Sequence, residues 1–239
     1  MGKNTAEIAS DWKKSSYYDD AEAQDIQLVF WKEESPFFEM FQKLNLAHVV
    51  ELAAGHGRHV DHYLERAGKI TLVDVNEENI NFCKNRFQAV HNISYLVNSG
   101  FDLKDIADSS VTAIFSYDAM VHFDLFDIAS YLDEAYRILV PNGLVLFHHS
   151  NYSKGPGQWY TLNPSWRNFM SADIFKHLAV NSGFKVIEQR IIYWVGQSNL
   201  DCISLCQKVG AMSMKTHARV RVLADLLRDK VKSNTQEID

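Results

Sequence analysis

The sequence has few cysteines and no long apolar segment, and each shortage excludes a class of protein. Its 239 residues include 3 cysteines, whose number and spacing fit neither a disulfide framework nor a zinc site. No apolar run reaches the ~18 residues that a transmembrane helix needs. The first residues are polar and acidic, so we expect no signal peptide, no membrane partner and a cytoplasmic protein.

The chain also lacks an excess of positive charge. Lysine and arginine together number 24, aspartate and glutamate 30, and the formal net charge is −6. A mildly acidic chain has no general attraction for phosphate backbones, so we predict no nucleic-acid partner. The length of 239 residues and the hydrophobic content of 46% fit one α/β domain with attachments.

Short apolar runs alternate with segments of helical periodicity through the middle of the chain. Helices are predicted over 58–65, 77–86, 127–139 and 172–182, and strands over 47–52, 69–73, 94–97, 111–116, 143–147, 185–194 and 201–207. This alternation predicts an α/β fold with a doubly wound, mostly parallel sheet of seven strands. We predict an N-terminal helical cap over 1–46, a central domain over 47–210, and a C-terminal helix and tail over 211–239.

The first predicted strand ends in a glycine turn, Glu51-Leu52-Ala53-Ala54-Gly55-His56-Gly57. Glycine permits positive φ and lets the backbone approach a ligand, so this turn is typical of a site for a nucleotide-like cofactor. A dinucleotide fingerprint has a third glycine, which is missing here and disfavours nicotinamide cofactors. The second strand ends in Asp74, seventeen residues after Gly57, where a carboxylate can accept both hydroxyls of a ribose.

Residues 49–147 resemble the class I S-adenosylmethionine (SAM)-dependent methyltransferases. The first motif of that family reads acidic-x-Gly-x-Gly-x-Gly; here Glu51 is the acid and Ala53 stands at the first glycine. Alanine is acceptable there if its φ is negative, which we therefore expect. The resemblance implies a Rossmann-like fold, SAM as the cofactor and S-adenosylhomocysteine (SAH) as its product.

The resemblance also implies a set of cofactor contacts. Where the family often has an acid for the adenine amino group, this sequence has Ser99, so the backbone of Gly100 and Phe101, or else Asp102, is expected to hold adenine. Glu51 is placed near the methionine end of the cofactor. The complete predicted set is Tyr18, Glu51, Ala53, Gly55, Gly57, Asp74, Val75, Gly100, Phe101, Asp102 and Tyr117.

Polar residues follow the fourth and fifth predicted strands, at the edge where an open α/β sheet binds its ligand. His148, His149 and His122 are candidate general bases, with Asp118 to orient the imidazole. Neighbouring strand residues point to opposite faces, so only one of His148 and His149 is expected to face a methyl acceptor. A magnesium site at Asp118, His148 and His149 is a minor alternative, and we predict no metal.

The segment Val145–Asn151 resembles the small-molecule and sugar O-methyltransferases. We therefore predict methyl transfer from SAM to a hydroxyl of a small molecule, with a sugar or glycan precursor as the leading acceptor. An aromatic segment around Trp159 and Trp166 is expected to cover the acceptor, with Arg167 for an anionic group. N-methylation of a small amine, an RNA or protein methyltransferase and a non-catalytic SAM-binding subunit are alternatives. The helix predicted over 212–232 is a candidate homodimer contact.

Overall fold

A computed structural model describes residues 5–12, 18, 31–194 and 196–209. Its strands form one sheet with the order β3-β2-β1-β4-β5-β7-β6. Strand β7 runs antiparallel to β5 and β6, and the other pairs are parallel. The strands are β1 (Val49–Leu52), β2 (Ile70–Asp74), β3 (Ile93–Val97), β4 (Val111–Ser116), β5 (Leu139–Ser150), β6 (Phe184–Trp194) and β7 (Gln197–Lys208). The predicted seven-stranded, mostly parallel sheet is confirmed.

Five α-helices accompany the sheet within the described ranges, and capping residues mark several of their starts. The Ser35 hydroxyl accepts from Phe38 N, the Asp124 carboxylate from Phe126 N and the Ser171 hydroxyl from Ile174 N. The helices are α1 (Thr5–Trp12), α2 (Pro36–Phe41), α3 (Glu77–Arg86), α4 (Leu125–Ile138) and α5 (Ala172–Asn181). None of them is long and apolar enough to cross a membrane.

The helix predicted over 58–65 is wrong as an α-helix. Two 3₁₀ turns, Val60–His62 and Leu64–Arg66, take its place. Tyr63 leaves the helical region with φ −138° between them, and its hydroxyl donates to buried Glu51 at 2.6 Å. The buried hydrogen bond thus interrupts a segment whose periodicity alone favoured a continuous helix.

The central strands β1, β2 and β4 are buried on both faces, which explains why they read as continuous apolar runs. Val49 packs in the layer that contains Phe37 and Phe41 of α2, while its neighbour Val50 packs in the layer of Ile128 on α4. Strand β5 is longer than predicted because β7 pairs with it from Leu144↔Gln207 to Ser150↔Asp201. The helix predicted over 212–232 lies outside the described residues.

Candidate functional site

A cleft opens at the carboxyl ends of β1, β2 and β4. This is the point where the strand order reverses, since β2 lies on one side of β1 and β4 on the other. Eight predicted site residues line the cleft: Tyr18, Ala53, Gly55, Asp74, Val75, Tyr117, Asp118 and His122.

The glycine turn after β1 forms one wall of the cleft. Gly55 has φ +55°, and a Cβ on it would lie 2.9 Å from Cε1 of Tyr18. Ala53 has φ +59°, so the expectation of a negative φ there is wrong. The turn requires this conformation because it brings Ala54 N to within 3.0 Å of the Val73 carbonyl of β2. A left-handed non-glycine residue costs roughly 1–2 kcal/mol.

Asp74 joins the glycine turn to the tip of β2. Its Oδ2 accepts from Gly55 N at 2.9 Å, and its Oδ1 accepts from Asn76 N at 2.8 Å and from the Asn79 amide at 3.1 Å. Burial raises the pKa of Asp74, and the bonds from Asn76 and Gly55 counteract that rise. A carboxylate offers about four lone-pair sites, so the arrangement retains capacity for a ligand hydroxyl.

Tyr18 closes the cleft beside the glycine turn. Its ring stacks on His56 with centroids 4.9 Å apart, and His56 in turn stacks on Phe82 at 3.9 Å. The side chains of Asn79 and Asn76 hydrogen-bond to the Tyr18 phenol, whose pKa burial and the nearby Asp74 raise to about 12. The phenol is therefore neutral.

Glu51 lies beneath the turn and does not line the cleft. Its Oε2 accepts from the Tyr63 hydroxyl, and its Oε1 is buried without a hydrogen-bond partner in the described part of the chain. Burial raises the pKa of Glu51 to about 8, although the bond from Tyr63 lowers it. A buried oxygen of this kind indicates space for a donor from a ligand or water.

The three residues predicted to hold adenine do not line the cleft. Asn98 lines the cleft, whereas Gly100, Phe101 and Asp102 do not. The Asn98 amide donates to the Asp102 carbonyl at 2.9 Å and to the Tyr131 hydroxyl at 2.8 Å, which fixes the turn after β3. Gly57 is also outside the lining, because it packs on Phe87 and Cys83 instead.

His122 lies in the 3₁₀ turn Met120–His122 after β4 and faces the cleft. Its Nδ1 is 2.8 Å from the Trp166 carbonyl oxygen. A carbonyl only accepts, so Nδ1 carries the proton and Nε2 has a bare lone pair. Burial and the positive charge of Arg167 lower the pKa of His122 to about 4, so the ring is neutral. No polar atom of the described residues pairs with Nε2.

The prediction that His149 or His148 faces the acceptor is corrected by the structure, since neither lines the cleft. His149 points to the other face of the sheet, where it stacks on Phe175 at 4.0 Å and pairs with Ser204 Oγ. Burial lowers its pKa to about 3. His148 is fully buried beneath Asp118, whose backbone N–H donates to His148 Nδ1 at 3.2 Å.

These positions also remove the magnesium alternative, because His148 and His149 lie on opposite faces of β5. Within the described ranges, no cluster of three His, Cys, Asp or Glu side chains has the arrangement of a metal site. The three cysteines are buried free thiols.

Several residues that line the cleft were not predicted from the sequence: Thr5, Ile8, Ala9, Trp12, Leu52, Ala54, His56, Arg58, His59, Asn76, Asn98, Ala119, Phe123 and Tyr131. Arg58 forms an ion pair with Asp118 at 3.3 Å across the β1–β4 junction. The Trp31 indole donates to His59 Nδ1 at 3.2 Å. Arg58 and His59 directly follow the glycine turn, and this position was the clue that could have identified them. The α1 residues gave no such clue in the sequence, because the residues that they meet in the cleft are far from them along the chain.

Ile8, Ala9 and Trp12 of α1 form the roof of the cleft. The aromatic segment after β5 lies beside this roof. Trp166 contacts Trp12 of α1 with ring centroids 5.0 Å apart, and Trp12 contacts the His122 ring at 4.7 Å. Arg167 does not serve as an open anion site, contrary to the prediction, because its guanidinium is buried against Asp201. The segment therefore supports His122 and the roof together.

The centre of the chain is similar to a known protein family. Residues 50–147 match the family model described as a methyltransferase domain. That match includes the glycine turn, Asp74 and the turn that carries His122. The chain matches no protein of curated function in sequence.

Solved structures share the fold at low sequence identity. The PH0226 protein of Pyrococcus horikoshii OT3 has a TM-score of 0.64 and 15% identity, covering 83% of this chain and 98% of its own. A Streptomyces coelicolor A3(2) geranyl diphosphate C-methyltransferase, solved with SAH, has 0.59 and 13%, covering 72% and 74%. The [4+2]-cyclase SpnF has 0.58 and 12%, covering 71% and 77%. These likenesses concern the fold, and the acceptor must be inferred from the site.

Proposed function

We propose that this SAM-dependent methyltransferase, with its methyltransferase domain at residues 50–147, methylates a hydroxyl group of a small molecule with His122 as general base. The observation that carries the proposal is the fixed tautomer of His122. Its Nδ1–H is held by the Trp166 carbonyl, which leaves Nε2 without a proton on a side chain that lines the cleft.

The residues of the cleft fit SAM. Asp74 has spare acceptor capacity for a ribose hydroxyl, and Asn98 and Tyr131 border the space beside it. The unpartnered Oε1 of Glu51, beneath the turn, suits a water that bridges to the methionine end, and Arg58 suits the carboxylate. When bound, SAM supplies an electrophilic methyl group on its sulfonium.

A base with a low pKa suits this chemistry. A hydroxyl oxygen that gains a methyl group becomes strongly acidic, so even an imidazole whose pKa is about 4 takes its proton readily. The same low pKa keeps Nε2 unprotonated at neutral pH. General-base assistance typically contributes ~10²–10⁴-fold, and correct placement of the acceptor contributes more.

The roof of the cleft favours a small acceptor. Helix α1 contributes Ile8, Ala9 and Trp12 to this roof, and such a cover favours a small molecule over RNA or protein. The Trp12 and Trp166 rings beside His122 offer apolar faces that suit a sugar or an aromatic ring. We therefore keep a sugar or a related hydroxylated compound as the leading acceptor.

The test is turnover of His122→Asn across a panel of sugars, phenols and amines, measured as homocysteine released from SAH. Asparagine can still donate to the Trp166 carbonyl but has no imidazole base. We expect hydroxyl methylation to fall at least ~100-fold, while calorimetry shows SAM affinity changed by less than about 2-fold.

His177→Asn is the matched control, since His177 is exposed on α5, outside the cleft. Undiminished hydroxyl methylation by His122→Asn would refute the base. Turnover of amines alone, insensitive to His122→Asn, would instead establish the N-methylation alternative, because a neutral amine needs no strong base.

A further inference from the structure

The loop between β5 and α5 holds two left-handed residues next to the candidate base. Ser165 has φ +47° and Trp166 φ +55°, and neither is glycine. Such conformations cost on the order of 1–3 kcal/mol each and persist only where the surroundings enforce them. Here the enforced turn aims the Trp166 carbonyl at His122 Nδ1.

Arg167 is the side chain that holds this turn. Its Nη1 donates to the Ser165 carbonyl at 2.9 Å. Its Nε and Nη2 donate to the two carboxylate oxygens of Asp201 at 2.9 and 2.5 Å. Arg167 is 2% exposed and Asp201 is fully buried. A bidentate pair in this setting has one geometry, so it anchors the turn to β7.

The Arg167–Asp201 pair is also connected to Asp118, through His148. Asp201 Oδ2 lies 3.1 Å from His148 Nε2, and His148 Nδ1 accepts from the backbone N–H of Asp118. Asp118 is itself left-handed, with φ +53°. Two routes from Arg167 therefore end at the exit of β4, one at Asp118 and one at His122.

Adjacent hydrogen bonds lock the loop onto the His122 turn. Asn168 N donates to the Val121 carbonyl at 3.0 Å, and the Asn168 amide donates to the His122 carbonyl at 3.2 Å. The backbone of His122 is thus held independently of its ring. Arg167 instead controls the position of the Trp166 carbonyl, which faces His122 Nδ1, and it places a positive charge near the ring.

We propose that Arg167 is the positioning residue for His122: through the Ser165–Trp166 turn it sets which ring nitrogen carries the proton. This inference rests on the proposed function only for its catalytic meaning. Other charged groups that act on His122 are Asp118 and Asp201, and both oppose the effect of Arg167. The influence of Arg167 is the largest of the three.

The test is the paired variant Arg167→Gln/Asp201→Asn, which keeps hydrogen-bonding side chains and removes both charges. Nitrogen-15 NMR of the His122 ring, without SAM or acceptor, reports tautomer and titration directly. We expect the pKa of His122 to rise, because loss of the positive charge of Arg167 outweighs loss of the negative charge of Asp201. We also expect a mixture of tautomers. Arg190→Gln, on an exposed arginine of β6, is the control.

A folded paired variant whose His122 keeps the wild-type tautomer and titration would overturn the proposal. Should the paired variant fail to fold, Arg167→Lys retains the charge but loses the two-pronged contact. That variant must then show mixed tautomers with an unchanged low pKa, and a single wild-type tautomer would overturn the proposal equally. Since the NMR readout needs no turnover, it stands or falls separately from the His122→Asn assay.

Discussion

At the scale of single residues, the cleft is built from groups held in unusual states. Ala53, Asp118, Ser165 and Trp166 are left-handed without being glycine, and all four border the cleft or His122. The sequence predicted where Gly55 and Asp74 would meet, because spacing along the chain determines that. It did not predict which face His148 or His149 would take, since this depends on the register of β5 against β7.

The tautomers of the histidine rings could not be predicted from the sequence either. The state of His122 depends on the Trp166 carbonyl, which is 44 residues away along the chain. His59 depends in the same way on Trp31, 28 residues before it. No local pattern encodes such partners, so the choice of His122 among the three candidate histidines depends on the contacts in the structure.

Glu51 gives a prediction about pH at this scale. Its pKa is 4.5 in the unfolded chain and about 8 when folded, mainly because it is buried. Between these values the folded state binds more protons, so stability falls as pH rises from 4.5 to 8. In the wild type, Glu51 should lower the free energy of unfolding by about 1.4 kcal/mol per pH unit over this range. We expect Glu51→Gln to abolish this pH dependence.

Denaturant unfolding at pH 5.5 and pH 7.5 measures this difference. The wild type should lose stability across that interval relative to Glu51→Gln, whereas Glu65→Gln, on an exposed acid, should follow the wild type. Parallel behaviour of Glu51→Gln and wild type would contradict the raised pKa.

At the scale of elements, α1 is the part of the site that the sequence left vague. It was predicted only as part of a helical cap, yet it supplies Ile8, Ala9 and Trp12 to the roof. Three side-chain bonds from other elements fasten it. Asp127 accepts from Thr5 N at 2.6 Å, Tyr160 donates to Asp11 at 3.0 Å, and the Asn76 amide donates to the Ala9 carbonyl.

These fastenings predict the kinetics of cofactor release. A hydrogen bond to a charged group contributes about 1.5–3 kcal/mol. The Tyr160→Phe variant should therefore speed SAH dissociation by roughly tenfold through a looser roof. Stopped-flow fluorescence of the tryptophans measures the rate. Tyr193→Phe, at a tyrosine that is 65% exposed on β6, is the matched control and should dissociate like the wild type. Equal rates in all three proteins would show that this bond does not hold the roof.

At the scale of the whole molecule, the sheet could be predicted from the sequence, whereas the buried ion pair between Arg167 and Asp201 could not. Alternating apolar and helical periods are local, and they gave seven strands with the correct order of elements. The pairing of Arg167 with Asp201 joins the loop after β5 to β7 inside the fold. Burial alone would raise the pKa of Asp201, but its bonds from His148 and Arg167 hold it at about 2.

This link predicts an asymmetric response to mutation. Asp201→Ala leaves the charge of Arg167 buried and unpaired, which should cost about 3–5 kcal/mol. The melting temperature should then fall by roughly 10 °C or more for a protein of this size. Removing both charges with Arg167→Met/Asp201→Leu should cost much less. If calorimetry gave the single and double variants the same melting temperature, the buried charge would not be the cause.

The orientation of the cofactor connects all three scales, because the base, the roof and the buried link matter only if the reacting sulfur faces His122. A crystal structure of the complex with SAH measures this directly. We predict the ribose hydroxyls on Asp74, the adenine beside Asn98, and the sulfur directed toward Nε2 of His122 under α1. SAH bound outside this cleft, or with its sulfur turned away from His122, would contradict the account.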